Sequence, residues 1–165
     1  MNLKRIIKHL LVDRWTVQRA FPAHAMKAIE EAIRQAETSH QGQIRFAVEA
    51  SLDMMPLLKG QTARERSIEI FSTLRVWDTA QNNGVLIYLL FADHDFEIVA
   101  DRGIHGHVGH HEWEVICQKM ELAFKHKQFQ EGVITGIKAV SEHLARHYPG
   151  QSGKMNELPN TPIQL

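Results

Sequence analysis

A single cysteine, Cys117, is all the thiol chemistry available to this chain of 165 residues. It excludes an internal disulfide and a cysteine-only metal cage. Its place in a helical stripe predicts a buried, unreactive thiol. An excess of either charge is also lacking, since nineteen Lys and Arg meet nineteen Asp and Glu. A general electrostatic pull toward nucleic acid is thereby excluded, and no nucleic-acid partner is expected. No apolar run reaches the ~18 residues that a transmembrane segment needs. The N-terminus, MNLKRIIKHLLVDRW, breaks its apolar residues with Lys4, Arg5, Lys8 and His9. It therefore lacks the unbroken apolar region of a signal peptide. A cytoplasmic location is expected, with any membrane association made through a partner. No Walker loop, dinucleotide fingerprint or G-x-S-x-G elbow occurs.

What is present is an ordinary globular composition, 44 % apolar and 23 % charged, with one surplus. Five of the eleven histidines fall between His94 and His111. A chain of this length is read as one folded domain with its own core. Residues 1–20 are expected as an N-terminal amphipathic helix, 21–149 as the domain, and 150–165 as a flexible tail. Leu3, Ile6, Ile7, Leu10 and Leu11 share one face of that first helix at 3.6 periodicity. Such a helix packs on the domain or on a partner chain, or anchors at a membrane surface, which Asp13 and its modest length weaken.

The chain is organised around Asn82–Gly109. Asn83-Gly84 opens the apolar run Val85 to Phe91, whose only polar atom is the Tyr88 hydroxyl, so both faces of this strand should be buried. Upstream, Ile44, Phe46, Val48 and Ala50 alternate with Arg45, Glu49 and Ser51, predicting a strand with one solvated face toward the sheet edge. Thr62 and Glu65 form a capping box that opens a helix running to the asparagines. Its apolar face is Ile70, Phe71, Leu74 and Trp77. Strand, helix and strand make a right-handed βαβ unit with parallel strands. The link Ala92–Asp95 is too short for a crossover, so Phe96–Ala100 should return antiparallel as an exposed hairpin. A glycine-punctuated loop follows, then two helices. The fold class expected is α/β, a three-layer α/β/α sandwich with a mixed central sheet.

Two groups of residues could carry chemistry. His105, His107, His110, His111 and Glu114 offer nitrogen and carboxylate ligands of the kind Zn²⁺ takes. Solvated or capping side chains at a helix start explain them equally well. The second group is oxygen-rich: Asp78, Asn82, Asn83 and Asp101. Antiparallel pairing brings the start of one strand and the end of the next to the same sheet edge, so these residues and His105 are expected on one rim. Carboxylate and amide oxygens suit a hard cation such as Ca²⁺ or Mg²⁺ more than Zn²⁺. Helix C-cap and turn roles account for Asn82 and Asn83 without a ligand, but not for Asp101.

Across roughly residues 20–148 the chain resembles the TPM domain family, sometimes labelled TPM phosphatase. The resemblance lies in Asn82-Asn83-Gly84 before V-L-I-Y-L-L, and in the antiparallel strand ending in a glycine loop. It extends to the step Lys127-Gln128-Phe129-Gln130-Glu131-Gly132 into the last helix. Where family members carry G-Y-G-L-E-G, this chain reads Asp101-Arg102-Gly103-Ile104-His105-Gly106. The first glycine is replaced by Asp101, the aromatic by Arg102 and the acidic position by His105. The resemblance implies an α/β/α sandwich and a divalent-cation-binding or protein-interaction module linked to membrane protein assembly or maintenance. A metal-dependent acid phosphatase is the alternative it implies. Asp101, Arg102 and His105 would then be the catalytic candidates, by position alone. The partner to look for is another protein, a membrane protein or a second copy of this chain among the candidates.

Overall fold

In the computed structural model, residues 3–150 and 155–165 are described. The organising strand is β2, Gly84–Leu90, buried at every position as an apolar run without a polar face requires. It pairs in parallel with β1, Gln43–Glu49, from Gln43 opposite Gly84 to Glu49 opposite Leu90. It pairs antiparallel with β3, Asp95–Ala100, with Val85 opposite Ala100. The sheet is mixed, in the order β3-β2-β1-β4. Its last member, β4, is Ile163–Gln164, parallel to β1.

Among the described residues six α-helices cover this sheet, and two more precede them. On one face α3 (Ala23–Ala36), α6 (Arg102–Val108), α7 (His110–Lys125) and α8 (Phe129–His147) bury Ile29, Ile33, Ile104, Met120 and Ile137 against the sheet. The sheet contributes Phe46, Ile87 and Phe96 to that core. On the other face α4 (Met54–Leu58) and α5 (Ala63–Thr73) bury Leu57, Ile70 and Phe71 against Leu86, Tyr88 and Leu90. Layering of this kind is how a sheet hydrophobic on both faces is closed off from water. It is the three-layer α/β/α sandwich that the element order predicts.

Several local expectations are corrected. The first helix is two, α1 (Leu3–Leu11) and α2 (Arg14–Ala20), because Asp13 caps the second by accepting from Thr16 N at 2.8 Å. Helix α5 ends at Thr73 and not at the asparagines, since Arg75 turns into the left-handed region at φ 52°. Val76 is therefore buried and Trp77 is 47 % exposed, the reverse of the helical expectation. The glycine-punctuated stretch is helical in α6, which Asp101 caps. Asp93, placed in an exposed hairpin turn by its sequence, is tied to α1 through Arg5 and His9.

The expected flexible tail is also corrected for residues 155–165. Gln43 Oε1 accepts from Glu157 N and Leu158 N at 3.1 and 2.9 Å, and Leu158 is buried. Asn160 donates to Glu37, Gln164 to the Arg14 carbonyl, and Leu165 N to Val48 O. This segment gives β1 a neighbour on its far side. Strand β1 is therefore interior and buried at all seven positions, not at the sheet edge. Its polar residues are buried because each finds a partner: Arg45 donates to the Pro159 carbonyl, and Glu49 accepts from Arg66 and Tyr88.

Candidate functional site

The end of the sheet where β2 begins and β3 finishes carries the oxygen-rich residues. Asp101 N donates to Gly84 O at 2.9 Å, one step beyond the Val85–Ala100 pair, so the strand register sets Asp101 opposite Gly84, the residue after Asn83. Asn83 is fully buried. Its main chain is held by Thr79 Oγ1, which accepts from its N–H at 3.1 Å, and by Gln43 N, which donates to its carbonyl. Neither Asn83 Oδ1 nor Nδ2 has a hydrogen-bond partner. Asp101 uses one carboxylate oxygen to cap α6, accepting from Arg102 N at 2.7 Å, while its Oδ2 is buried without a partner. Buried polar atoms are nearly always satisfied in folded proteins, so unpartnered oxygens on adjacent residues call for a ligand or a special role.

Asn82 turns the chain into this rim from the left-handed region, φ 51°, which asparagine tolerates better than most residues. Gly103 then lets α6 start against the same turn. A Cβ there would lie 2.5 Å from Asn82 O, 2.8 Å from Gln81 O and 2.9 Å from the Tyr148 hydroxyl. Tyr148, at the C-terminal cap of α8, is the member that sequence reasoning missed. Burial first, and then the neighbouring Asp101 carboxylate, raises its phenol above the ordinary tyrosine value. Asn82, Asn83, Asp101, Gly103 and Tyr148 thus meet at one place, although they come from three regions of the chain.

Not every predicted residue joins them. Asp78 lies on the exposed turn after α5 and pairs with Arg75 at 2.8 Å. His105 is exposed on α6, its backbone N–H donating to the Asp101 carbonyl at 2.9 Å. Arg102 is likewise exposed. The histidines disperse: His107 stacks on His147 with ring centroids 4.7 Å apart, and His110 pairs with Glu114 at 3.1 Å. Among the described residues no three His, Cys, Asp or Glu side chains gather as a metal site would need. A cation at this rim would accordingly depend on amide and main-chain oxygens besides Asp101.

A second polar cleft, about 380 Å³, opens between β3 and α7 around Asp95, Glu97, Cys117 and Glu121. Burial first, and then the carboxylates of Glu97, Glu121 and Asp93, push the Asp95 carboxyl from 3.8 up to about 6. Burial, and then the carboxylates of Glu97, Glu121 and Asp95, push the Cys117 thiol up to about 12, so it stays protonated at neutral pH. Asp95 is a group whose folded pKa lies above its unfolded one, so its ionisation opposes folding. Stability is lost as pH rises from 3.8 through about 6. Asp95→Asn is expected to stabilise the protein at neutral pH by about 1–2 kcal/mol, and to change nothing below the unfolded value. Thermal melts on both sides of that window test this, and an equal gain on both sides would sink it.

An α/β/α sandwich with an oxygen-lined rim at the end of its mixed sheet is the class of domain that these features define. The TPM domain profile matches residues 18–143, and the chain belongs to the TPM domain family. It is similar to the BA42 protein of the psychrophilic bacterium Bizionia argentinensis, solved by NMR. The two are 32 % identical with a TM-score of 0.74, over 88 % of this chain and 95 % of that one. The N-terminal domain of a P. gingivalis protein shares the fold at 17 % identity and a TM-score of 0.61. That match covers 76 % of this chain and 79 % of that one. No curated protein matches the chain.

Proposed function

We propose that this TPM-domain protein binds a divalent cation, Ca²⁺ or Mg²⁺, at the rim of Asn82, Asn83 and Asp101. It would act as a cation-binding or protein-interaction module, linked through its family resemblance to membrane protein assembly or maintenance. The observation that supports the reading is that Asn83 Oδ1 and Asp101 Oδ2 are both buried and unpartnered at the end of the sheet where Asp101 N bonds Gly84 O, the residue after Asn83. The donor chemistry fits a hard cation, which takes carboxylate, amide and main-chain oxygens. It fits Zn²⁺ less well, since that ion prefers imidazole and thiolate. Asp78 would join the set only by leaving Arg75. His105 would supply an exposed outer group.

The test is a thermal melt of chelator-stripped protein titrated with each ion. A cation that binds only the folded state stabilises by about 2.7 kcal/mol at 100 times its Kd. The expected result is such a shift with Ca²⁺ or Mg²⁺, and its loss in Asp101→Ala. A shift that survives Asp101→Ala overturns the rim, and a shift with Zn²⁺ alone moves the site to the histidines. No shift with any ion leaves a metal-free interaction domain. The alternative, a metal-dependent acid phosphatase, would use the same rim with Arg102 meeting the phosphate and His105 as acid. Metal-dependent hydrolysis of a phosphomonoester that disappears in Asp101→Ala, His105→Ala would favour it.

A further inference from the structure

Helix α1 turns Arg5 and His9 toward the domain, beside the half-buried Ile6. Arg5 pairs with Asp93 at 2.8 Å, and His9 Nε2 stands 3.1 Å from the same carboxylate. His9 is buried, and its Nδ1 accepts from Leu52 N at 3.0 Å. Arg5 and His9 are four residues apart and so share one helix face, the one held against the domain. The opposite face carries Leu3, Ile7, Leu10 and Leu11, which are 64, 48, 63 and 74 % exposed. Trp15, in α2 just beyond, is 72 % exposed. Amphipathic helices of globular domains bury the apolar stripe and wet the polar one, whereas here only Ile6 of the stripe packs on the core. Contiguous exposed apolar surface of this kind marks a docking face.

The charge around this face selects what docks there. Residues 3–20 contain Lys4, Arg5, Lys8, Arg14 and Arg19 against one acid, Asp13, although the whole chain is neutral. Lys4, Lys8 and Arg14 are exposed and enter no ion pair among the described residues. On a helix of 100° per residue, Lys4 and Lys8 fall at one border of the apolar stripe. Long basic side chains there reach upward to headgroups while their stems lie along apolar surface. A second copy of the chain docking on the same face would set these cations against each other, which an isologous interface disfavours. A negatively charged surface would neutralise them and attract the helix.

We infer that the exposed face of α1, continued by Trp15, is a membrane-surface anchor that seats the domain on anionic lipid. The apolar side chains enter the headgroup boundary, and the Arg5–Asp93–His9 cluster holds the helix on the domain while they do so. This requires no cation at the rim. The test is cosedimentation of the full chain, in chelator, with vesicles of phosphatidylcholine alone or mixed with phosphatidylglycerol. Binding to the mixed vesicles is expected to be at least about tenfold stronger than to neutral ones. It should fall with added salt. Ile7→Ser with Leu11→Ser, and separately Lys4→Glu with Lys8→Glu, should each abolish it. All four positions are exposed, so melting temperatures should stay at the wild-type value.

Absence of binding to anionic vesicles overturns the proposal, as does undiminished binding by the Ile7→Ser, Leu11→Ser variant. A wild-type dimer in sedimentation equilibrium that the same variant makes monomeric would assign the face to a second copy instead.

Discussion

Gly84→Ala is expected to destabilise the protein by about 3 kcal/mol or more, at the upper end for overpacking. Gly84 opens β2 and is buried, and a Cβ added there would overlap the carbonyl oxygen of Val76. That oxygen belongs to the main chain and cannot rotate away as a side chain could. Val76 is itself fully buried and its N–H donates to Phe71 O at 3.0 Å, so the turn after α5 cannot retreat without disturbing the core. Retreat by β2 is blocked as well, because Gly84 O accepts from Asp101 N. Gly106 provides the control: it lies in α6, and nothing stands within 4 Å of a Cβ there. Gly106→Ala should stabilise by up to about 1 kcal/mol through helix propensity. Chemical denaturation of the three proteins decides the matter. Equal stability of wild type and Gly84→Ala would show that the turn yields.

The glycine of the Asn82-Asn83-Gly84 signature thus has a packing reason as well as a turn reason, and only the first needed a structure to see. What was legible in the sequence is what depends on near neighbours or on pattern. The seven-residue apolar run, the Thr62–Glu65 capping box and the short Ala92–Asp95 link fixed a βαβ unit and its antiparallel return. The nearness of Asn83 and Asp101 followed from strand direction alone. What failed depends on partners far along the chain. Arg45 and Glu49 alternate with apolar residues as a solvated face would. They are nevertheless buried, because Pro159, 114 residues from Arg45, accepts one of its guanidinium hydrogens, and Tyr88, 39 residues from Glu49, donates to that carboxylate. The C-terminal segment has no periodicity because its hold on the domain is made by main-chain and amide bonds, not by an apolar stripe. Tyr148 reaches the rim from the last helix for the same kind of reason. The surroundings of Asp78 were not legible, because a left-handed residue at Arg75 ends α5 early and Asp78 pairs with that arginine.

Arg66→Ala is expected to cost about 3 kcal/mol at neutral pH, the low end for breaking a buried ion pair. Glu49 lies on β1 with its side chain only 10 % exposed. Arg66 grips it bidentately, Nε to Oε2 at 2.9 Å and Nη2 to Oε1 at 2.8 Å, and Tyr88 donates to Oε2 at 2.5 Å. The grip raises the Arg66 guanidinium above its ordinary value, the hydrogen bond to Glu49 being the main cause. Burial, and next the Glu49 carboxylate, raises the Tyr88 phenol, which therefore remains a donor. Arg66 is 28 % exposed, so water takes up part of its role once it is gone, which is why the low end applies. Without it, Glu49 is a buried carboxylate with one donor and no compensating cation. The deficit is that of an uncompensated buried charge, so it is larger at neutral than at acidic pH, where carboxyl groups are protonated. Adding Glu49→Gln to Arg66→Ala removes the uncompensated charge while keeping an acceptor for Tyr88. The double variant should regain most of the loss at neutral pH and lose the pH dependence. If Arg66→Ala were equally destabilised at acidic and neutral pH, the cost would lie in lost packing of the arginine stem, and Glu49→Gln would not repair it.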